Sequence, residues 1–377
     1  MPKRTSWDIF CTVVDNFGDI GVTWRLARQL AAEEDRSVTL WVDDLASFRR
    51  IEPAIDPARE TQVVRGIRIR KWSSEFPDAE PADAVIEAFA CHLPEKYVER
   101  MSARSTKPAW INLEYLCAEK WIEDTHALPS PHPSLPLTKH FFFPGFTERT
   151  GGLLRESDLF TRRNAFLADA ATQRTFWDML GVAPDRGDDV RISLFCYPNA
   201  AIASLLDAWA AGPNPITCLM PEGPAAKAAR EHLGIDGTTA ERGGLSLHLI
   251  PFMPQDEYDK LLWSCDVNFV RGEDSFLRAQ WAGKPFLWQI YPQDGDAHWP
   301  KLEAFLDLYA GNLDVKTSAR VKYAWHRWNR GQDMKAPWQD FAAGRQILEP
   351  YALDWANRVG ARPGLAKQLA EFADKLL

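Results

Sequence analysis

The 377-residue sequence has few cysteines, no long hydrophobic run and no excess of positive charge. No stretch approaches the about 18 consecutive apolar residues that a membrane-spanning helix requires, so we expect no membrane span. The six cysteines show no C-x-x-C spacing, which is typical of free thiols in a reducing compartment and predicts a cytoplasmic protein. With 44 Lys and Arg against 52 Asp and Glu, the net charge of -8 argues against a nucleic-acid partner.

Common motifs of metal and nucleotide enzymes are also missing. The eight histidines show neither H-x-x-x-H nor H-E-x-x-H spacing, so the sequence predicts no metal site. It also contains no G-x-S-x-G nucleophile elbow and no P-loop. We therefore expect a reaction that uses neither a metal ion nor a bound cofactor.

Strand-like runs alternate with helical ones along most of the chain. The predicted strands cover 7–14, 38–43, 66–72, 83–89, 109–116, 190–197, 215–220, 245–252, 266–270 and 285–289. This alternation predicts an α/β fold with two Rossmann-like domains facing across a cleft, the first ending between about 180 and 190. Ligand sites in such sheets lie where strands end, so polar residues that directly follow a predicted strand are candidates for the functional site.

An acidic loop with the sequence DNFGDIG follows the first predicted strand, at 15–21. Gly18 and Gly21 permit a tight turn into the next helix, whose free N–H groups can bind an anion or a polar ligand. A dinucleotide fingerprint would read G-x-G-x-x-G, and here acids stand where its pyrophosphate would lie, so a nicotinamide cofactor is not favoured. The structural alternative is that Asp15 caps the turn and Asp19 caps the helix.

A second candidate turn, RGEDS at 271–275, follows the strand DVNFV and opens a helix. Arg271 is a fork-shaped donor suited to phosphate oxygens, and Ser275 stands at a helix N-terminus, which attracts anions. This pattern is typical of a diphosphate-binding turn. The alternative is that Asp274 or Ser275 only caps the helix and that Arg271 pairs with Glu273 on the surface.

Aromatic and polar residues follow two further strands of the second predicted domain. Phe195 and Tyr197 end one strand, and Phe252 and Gln255 follow another. Aromatic rings at these positions can stack on a nucleobase or a sugar, and an amide can bond a base edge. The alternative is that the phenylalanines belong to the rim of the core.

Polar residues also interrupt apolar segments of the first predicted domain, at Asn112, Glu114 and Tyr115. Buried polar groups need partners, so we consider these three as candidates for the acceptor side of the cleft. A proline- and aromatic-rich segment at 126–146 has no clean periodicity and is predicted to be an ordered surface loop.

Five strings of the sequence resemble the bacterial protein-arginine rhamnosyltransferases that modify translation elongation factor P. They lie at 8–30, 85–94, 111–116, 139–156 and 268–293. The resemblance implies a GT-B glycosyltransferase that moves L-rhamnose from dTDP-β-L-rhamnose to one arginine of elongation factor P, with inversion and without metal. It also implies an acceptor domain at 1–184, completed by a C-terminal helix at about 355–377, and a donor domain at 185–354. A protein acceptor needs a docking surface, for which the first domain and the segment 126–150 are our candidates.

Carried over by position within these motifs, the resemblance makes Asp19 the general base, Glu273 a second essential acid and Asp15 a support of the acidic loop. The remaining matched positions are assigned to the nucleotide sugar: Phe195, Tyr197, Phe252, Gln255, Arg271, Asp274 and Ser275, with Asn16, Phe17 and Gly18 in the acidic loop.

Two other functions fit the same residues. One is a different nucleotide-sugar enzyme of this fold, such as another glycosyltransferase or an epimerase, which would turn over its donor without elongation factor P. The other is a non-catalytic protein whose acidic loop binds a basic peptide, and it would bind an acceptor without consuming a donor.

Overall fold

The computed structural model describes residues 4–15, 17–73, 75–183, 187 and 189–377. The chain forms two compact units. The first unit consists of Met1–Ser157 and Val359–Leu377, and the second consists of Asp158–Arg358.

The first unit begins as a series of strands and helices. These are β1 (Ser6–Cys11), α1 (Gly18–Ala32), β2 (Ser37–Val42), α2 (Leu45–Ile51), β3 (Thr61–Val64), β4 (Ile67–Lys71), β5 (Ala84–Ala88), α3 (Glu95–Ala103), β6 (Ala109–Leu113), α4 (Ile122–Thr125), β7 (Pro129–Pro131) and β8 (Thr138–Phe142). Among the described residues, the strands form one sheet in the order β3-β4-β2-β1-β5-β6-β8-β7.

Strand β1 lies inside this sheet, which explains why its sequence is mostly apolar. It pairs in parallel with β2 on one side and with β5 on the other, so that Ile9 lies beside Leu40 and Ile86. A parallel strand that is paired on both sides and covered on both faces has no reason to alternate polar with apolar residues. Phe10 joins the buried core of this unit together with Trp41.

The prediction of a surface loop at 126–146 is wrong in part, because this segment contains β7 and β8. Strand β8 pairs in parallel with β6, and β7 pairs antiparallel with β8 at the edge of the sheet. An edge strand tolerates Pro129 and Pro131 because one of its sides has no ladder hydrogen bonds to make. The two prolines are the reason why the sequence pattern predicted a loop where a short strand forms.

The second unit repeats the pattern of strands and helices. Its elements are α5 (Leu159–Ala168), α6 (Ala170–Met179), β9 (Val190–Leu194), α7 (Ile202–Ala210), β10 (Ile216–Pro221), α8 (Pro224–Leu233), β11 (Thr239–Arg242), β12 (Leu245–Ile250), α9 (Gln255–Ser264), β13 (Val267–Arg271), α10 (Asp274–Ala282), β14 (Phe286–Gln289), a 3₁₀ turn (Asp294–Asp296), α11 (Trp299–Ala310), α12 (Val315–Asn329), α13 (Lys335–Ala343) and α14 (Arg345–Gly360). Its sheet has the order β11-β12-β10-β9-β13-β14 among the described residues, and β11 is antiparallel to its neighbour.

The second unit begins earlier in the chain than the sequence predicted. The predicted boundary between 184 and 185 lies outside the described residues, whereas the second unit already begins at Asp158. The cause is packing, since α5 lies against α9 of the second unit. The two helices before the predicted boundary therefore belong to the second unit.

The end of the chain, Val359–Leu377, belongs to the first unit. After α14, a break that includes Pro363 precedes α15 (Leu365–Leu376), so the predicted helix at about 355–377 is divided into two. Helix α15 packs against α1 and β6. The N–H of Leu365 donates to the carbonyl of Leu153 at 2.9 Å, and Arg36 forms a 2.7 Å ion pair with Asp374.

Within the part of the chain that the structure describes, none of the helices combines the length and the apolar character needed to cross a bilayer.

Candidate functional site

The acidic loop of the first unit connects β1 to α1 by a tight turn. The N–H of Gly18 donates to the carbonyl of Asp15 at 2.6 Å, and α1 begins at Gly18. A Cβ atom at Gly18 would lie 2.6 Å from a carboxylate oxygen of Asp15, so a larger residue at this position would displace that carboxylate. The predicted donor-binding residue Asn16 lies outside the described residues, and Phe17 occupies the N-cap position of α1.

The carboxylate of Asp19 is buried, with 2% of the residue exposed, and it is held by three donors. Its Oδ2 accepts the backbone N–H groups of Val14 at 2.8 Å and of Asp15 at 2.9 Å. Its Oδ1 accepts the hydroxyl of Tyr115 at 3.0 Å. Because these amides belong to the loop, Asp19 fixes the loop, and the alternative of a simple helix cap does not describe its contacts.

Tyr115 reaches Asp19 across the end of β5, where it meets an aromatic ring that the sequence analysis did not select. The rings of Tyr115 and Phe89 stack with centroids 4.3 Å apart and an interplanar angle of 12°. Phe89 has a φ of 56°, and Ala90 and His92 have φ values of 54° and 52°. For any residue other than glycine, this left-handed backbone conformation costs about 1–2 kcal/mol. A turn of three such residues therefore needs strong local contacts.

Those contacts come from Glu87, the penultimate residue of β5, which is 1% exposed. Its carboxylate accepts the N–H of His92 at 3.2 Å, the indole N–H of Trp110 at 3.1 Å and the ammonium group of Lys139 at 3.1 Å. The ammonium group also lies 5.1 Å from the centre of the Trp110 ring. A buried carboxylate with these partners is compensated, and it holds the turn that carries Phe89.

The acceptor-side candidates lie at the end of β6. Asn112 is 1% exposed and stands beside Glu87 in the register of β5 and β6. Its amide N–H₂ donates to the carboxylate of Glu114, whose backbone N–H donates to the carbonyl of Phe142 at 2.9 Å. Since β1, β5 and β6 are neighbours, the described candidates of the first unit lie together at the carboxyl ends of these strands. This region is rich in carboxylates and suits a cation.

In the second unit, Arg271 ends β13 and lies between two aromatic rings. Its guanidinium carbon is 4.5 Å from the centre of the Phe195 ring and 4.6 Å from that of Tyr197. Both aromatic residues follow β9, which pairs with β13. Stacking of this kind orients the planar guanidinium and leaves its edge available to oxygens of an anion.

The turn from β13 into α10 is fixed by three contacts. Gly272 has a φ of 60°, and its carbonyl accepts the indole N–H of Trp288 at 2.7 Å. The hydroxyl of Ser275 accepts the N–H of Arg271 at 3.0 Å and donates to the carbonyl of the same residue. Ser275 thus closes the turn, and Glu273 occupies the N-cap position of α10. The N-terminal amides of this helix favour negative charge.

Two further predicted residues lie beside this turn in the second unit. Gln255 begins α9, and its side-chain N–H₂ donates to the carboxylate of Asp274 at 3.2 Å. The Phe252 ring lies 6.2 Å from that of Phe195, at an angle of 64°. The second-unit residues selected from the sequence therefore lie together: Phe195, Tyr197, Phe252, Gln255, Arg271, Glu273, Asp274 and Ser275.

Sequence reasoning missed Gln289, whose side-chain oxygen accepts the N–H of Tyr197 at 2.9 Å. Gln289 is the last residue of β14, and a polar residue at the end of an apolar strand is the sequence signal that could have identified it. It also missed the ion pair between Asp259 and Arg278, which are 1% and 2% exposed. This pair joins α9 to α10 through contacts of 2.9 Å and 2.5 Å.

Two chemical properties of the site region follow from burial. Burial raises the pKa of the Cys196 thiol to about 12 although Arg271 lowers it, so this cysteine is not a nucleophile at neutral pH. Across the described residues, no group of three or more His, Cys, Asp or Glu side chains is arranged to hold a metal ion.

Two such sheets, the second of which has a strand-to-helix turn suited to an anion, define a class of protein. The chain resembles a UDP-glucosyltransferase from Polygonum tinctorium with a TM-score of 0.54 at 10% identity, over 99% of this chain and 100% of that one. At this identity the likeness concerns the fold alone, which is that of the GT-B glycosyltransferases.

More specific similarities identify the family. Residues 7–374 match the family described as Elongation-Factor P (EF-P) rhamnosyltransferase EarP. The protein-arginine rhamnosyltransferase of Pseudomonas putida is 48% identical over 373 residues, which cover 98% of both chains. A structure solved for EarP-mediated arginine glycosylation of translation elongation factor EF-P matches with a TM-score of 0.71 at 35% identity, over 99% of this chain and 100% of that chain. The chain belongs to the EarP family and is a glycosyltransferase, which confirms the predicted family and fold.

Proposed function

We propose that this protein transfers L-rhamnose from dTDP-β-L-rhamnose to an arginine guanidinium of EF-P, with inversion at the anomeric carbon, without a metal ion and with Asp19 as the general base. The observation that carries the proposal is the carboxylate of Asp19, which is buried and oriented by three hydrogen bonds beside a second acid, Asp15. Membership in the EarP family supports the same reaction.

The donor is proposed to bind the second unit. A thymine ring can stack on Phe195 or Phe252, and Gln255 can bond its edge. The diphosphate carries the charge that Arg271 and the N-terminal amides of α10 attract. These groups would also stabilise the charge that develops on the leaving diphosphate, which is the task a metal ion performs in other enzymes.

The acceptor poses a chemical difficulty that geometry helps to resolve. An arginine side chain has a pKa above about 12 and a carboxylic acid ordinarily one near 4, so a carboxylate cannot remove the proton before reaction. In the proposed step, the N–C bond to the sugar forms while the C–O bond to the diphosphate breaks. The guanidinium nitrogen becomes more acidic as this bond forms, and its proton then passes to Asp19. Asp15 supports the loop, and Glu273 is proposed as the second carboxylate that the reaction requires.

The proposed location is a reducing compartment such as the cytoplasm. All six cysteines are free, and Cys91 alone among them is not fully buried. Free thiols persist where the surroundings keep them reduced.

The experiment that tests the proposal is intact-protein mass spectrometry of EF-P after incubation with this protein and dTDP-β-L-rhamnose in the presence of a chelator. We expect one deoxyhexose on a single arginine with the wild type and none with Asp19→Asn. Asp35→Asn is the matched control, because Asp35 is an exposed acid with a φ of 54°, a conformation that asparagine tolerates.

Other results would each contradict a part of the proposal. Donor hydrolysis without modified EF-P would favour another nucleotide-sugar enzyme, and EF-P binding without donor turnover would favour a peptide-binding protein. Loss of transfer on adding the chelator would refute metal independence.

The docking surface for EF-P is proposed to include the aromatic residues around β8. Trp121 is 52% exposed and meets the Phe143 ring edge-on at 5.3 Å, and Leu128 is 48% exposed nearby in sequence. Exposed rings of this kind serve as anchors in protein interfaces. Trp121→Ala should raise the KM for EF-P and leave the KM for the donor unchanged, and a rise in both would refute a separate docking surface.

A further inference from the structure

The least explained feature of the first unit is the left-handed turn after β5. Phe89, Ala90 and His92 have φ values between 52° and 56°, which residues with a side chain rarely adopt. Strain of this kind persists only where surrounding contacts impose it, and it is concentrated at functional sites. The ring that this turn presents is stacked on Tyr115, and the hydroxyl of Tyr115 donates to Asp19.

We propose that Phe89 is a positioning residue for rhamnosyl transfer, because its ring holds Tyr115 in the orientation that fixes the Oδ1 atom of Asp19. This inference rests on the proposed role of Asp19 as the general base.

The contacts of Asp19 show why one hydroxyl matters. Its Oδ2 already accepts two backbone amides, from Val14 and Asp15, while the donor to Oδ1 is the Tyr115 hydroxyl. An oxygen that accepts one hydrogen bond keeps acceptor capacity for an incoming proton, so the direction of Oδ1 decides where that proton is received.

The stack restrains the side chain of Tyr115. Tyr115 is 37% exposed, so part of this side chain meets solvent. The Phe89 ring lies nearly parallel to it, at 12°, and limits rotation about its side-chain bonds. Losing this restraint would reduce the fraction of molecules in which Oδ1 is correctly aimed, without removing any group that touches a substrate.

The turn itself is rigidly attached to the sheet. The N–H of Phe89 donates to the carbonyl of Leu113 at 2.7 Å, and the thiol of Cys91 donates to the carbonyl of Phe10 at 3.3 Å. The carboxylate of Glu87 accepts the N–H of His92 at 3.2 Å. Contacts on both sides of the strained residues therefore fix the direction of the Phe89 ring.

The test compares steady-state kinetics of transfer to EF-P for three single variants. Phe89→Leu should lower kcat about 10-fold, since a displacement well below 1 Å at the reacting groups is enough for such a loss. Its KM for the donor should stay within about twofold of the wild type, because the donor is proposed to bind the other unit. Phe89→Trp keeps a stacking ring and should retain most of the wild-type kcat. Tyr115→Phe keeps the stack but removes the hydroxyl, and it should lower kcat by a similar factor.

A double-mutant cycle distinguishes positioning from general damage. If Phe89 acts through the hydroxyl of Tyr115, the Phe89→Leu, Tyr115→Phe double variant should be no slower than Tyr115→Phe alone. Tyr323→Phe on α12 is the matched control, because Tyr323 is 41% exposed and should show unchanged kcat. Urea midpoints of all variants report folding independently of activity.

Two kinetic results would overturn the inference: wild-type kcat in Phe89→Leu, or effects of the two substitutions that multiply in the double variant. The failure of the proposed function looks different, because the wild type itself would then leave EF-P unmodified.

Discussion

The buried ion pair between Asp259 and Arg278 should be the most costly charge to disturb in the second unit. It lies one helical turn beyond the hydrogen bond between Gln255 and Asp274, so α9 and α10 are joined twice beside residues that we propose to bind the donor. Asp259→Asn keeps the shape of the side chain but removes the negative charge from two contacts of a guanidinium that is 2% exposed. Breaking such a pair costs about 3–5 kcal/mol, which is a large part of the stability of a domain.

The assay is urea unfolding followed by tryptophan fluorescence and by circular dichroism, because two units need not unfold in one transition. The double variant Asp259→Leu, Arg278→Met removes both charges and keeps apolar volume, so it should recover most of the lost stability. A loss below about 1 kcal/mol in Asp259→Asn, or a double variant as unstable as the single one, would refute the reasoning.

Three further predictions concern single groups. Arg271→Lys loses the planar fork between two rings and should weaken dTDP binding on the order of 10-fold in calorimetry, whereas unchanged affinity would contradict the proposed diphosphate contact. Gly18→Ala should slow transfer several-fold at nearly unchanged urea midpoint, because the new Cβ displaces the Asp15 carboxylate while alanine favours the helix by about 1 kcal/mol. Burial raises the pKa of Asp83, but hydrogen bonds from Arg104 and from the chain at Ser6 outweigh it and lower this pKa to about 2. The stability that Asp83 contributes is therefore complete only above about pH 5 and is lost as the pH falls towards 2; an Asp83→Asn variant whose loss in urea midpoint is the same at pH 3 and pH 7 would contradict this.

The sequence was most informative where a buried strand ends in a short polar turn. The loop at 15–21 and the turn at 271–275 are both recognisable because an apolar run stops abruptly and a helix follows. The structure places both turns at the ends of parallel strands, where ligand sites of such sheets occur.

Features that depend on distant parts of the chain could not be predicted in this way. Strand β8 exists because β6 accepts it as a neighbour, and α5 belongs to the second unit because of its contact with α9. Neither partner can be recognised from a local pattern. The left-handed conformation of Phe89 could not be predicted for a similar reason, since an aromatic residue in the sequence does not indicate a positive φ.

The return of the chain to the first unit has a consequence for protein synthesis. Helix α15 covers α1 and β6, yet it leaves the ribosome only after the whole second unit. The rest of the first unit emerges before Asp158, so it must wait while the whole second unit is translated. At ~5–20 residues per second, roughly 200 residues correspond to a delay on the order of 10–40 s. During that interval the second unit can complete its own fold, while the nascent first unit exposes the surface that α15 will cover and is open to chaperones.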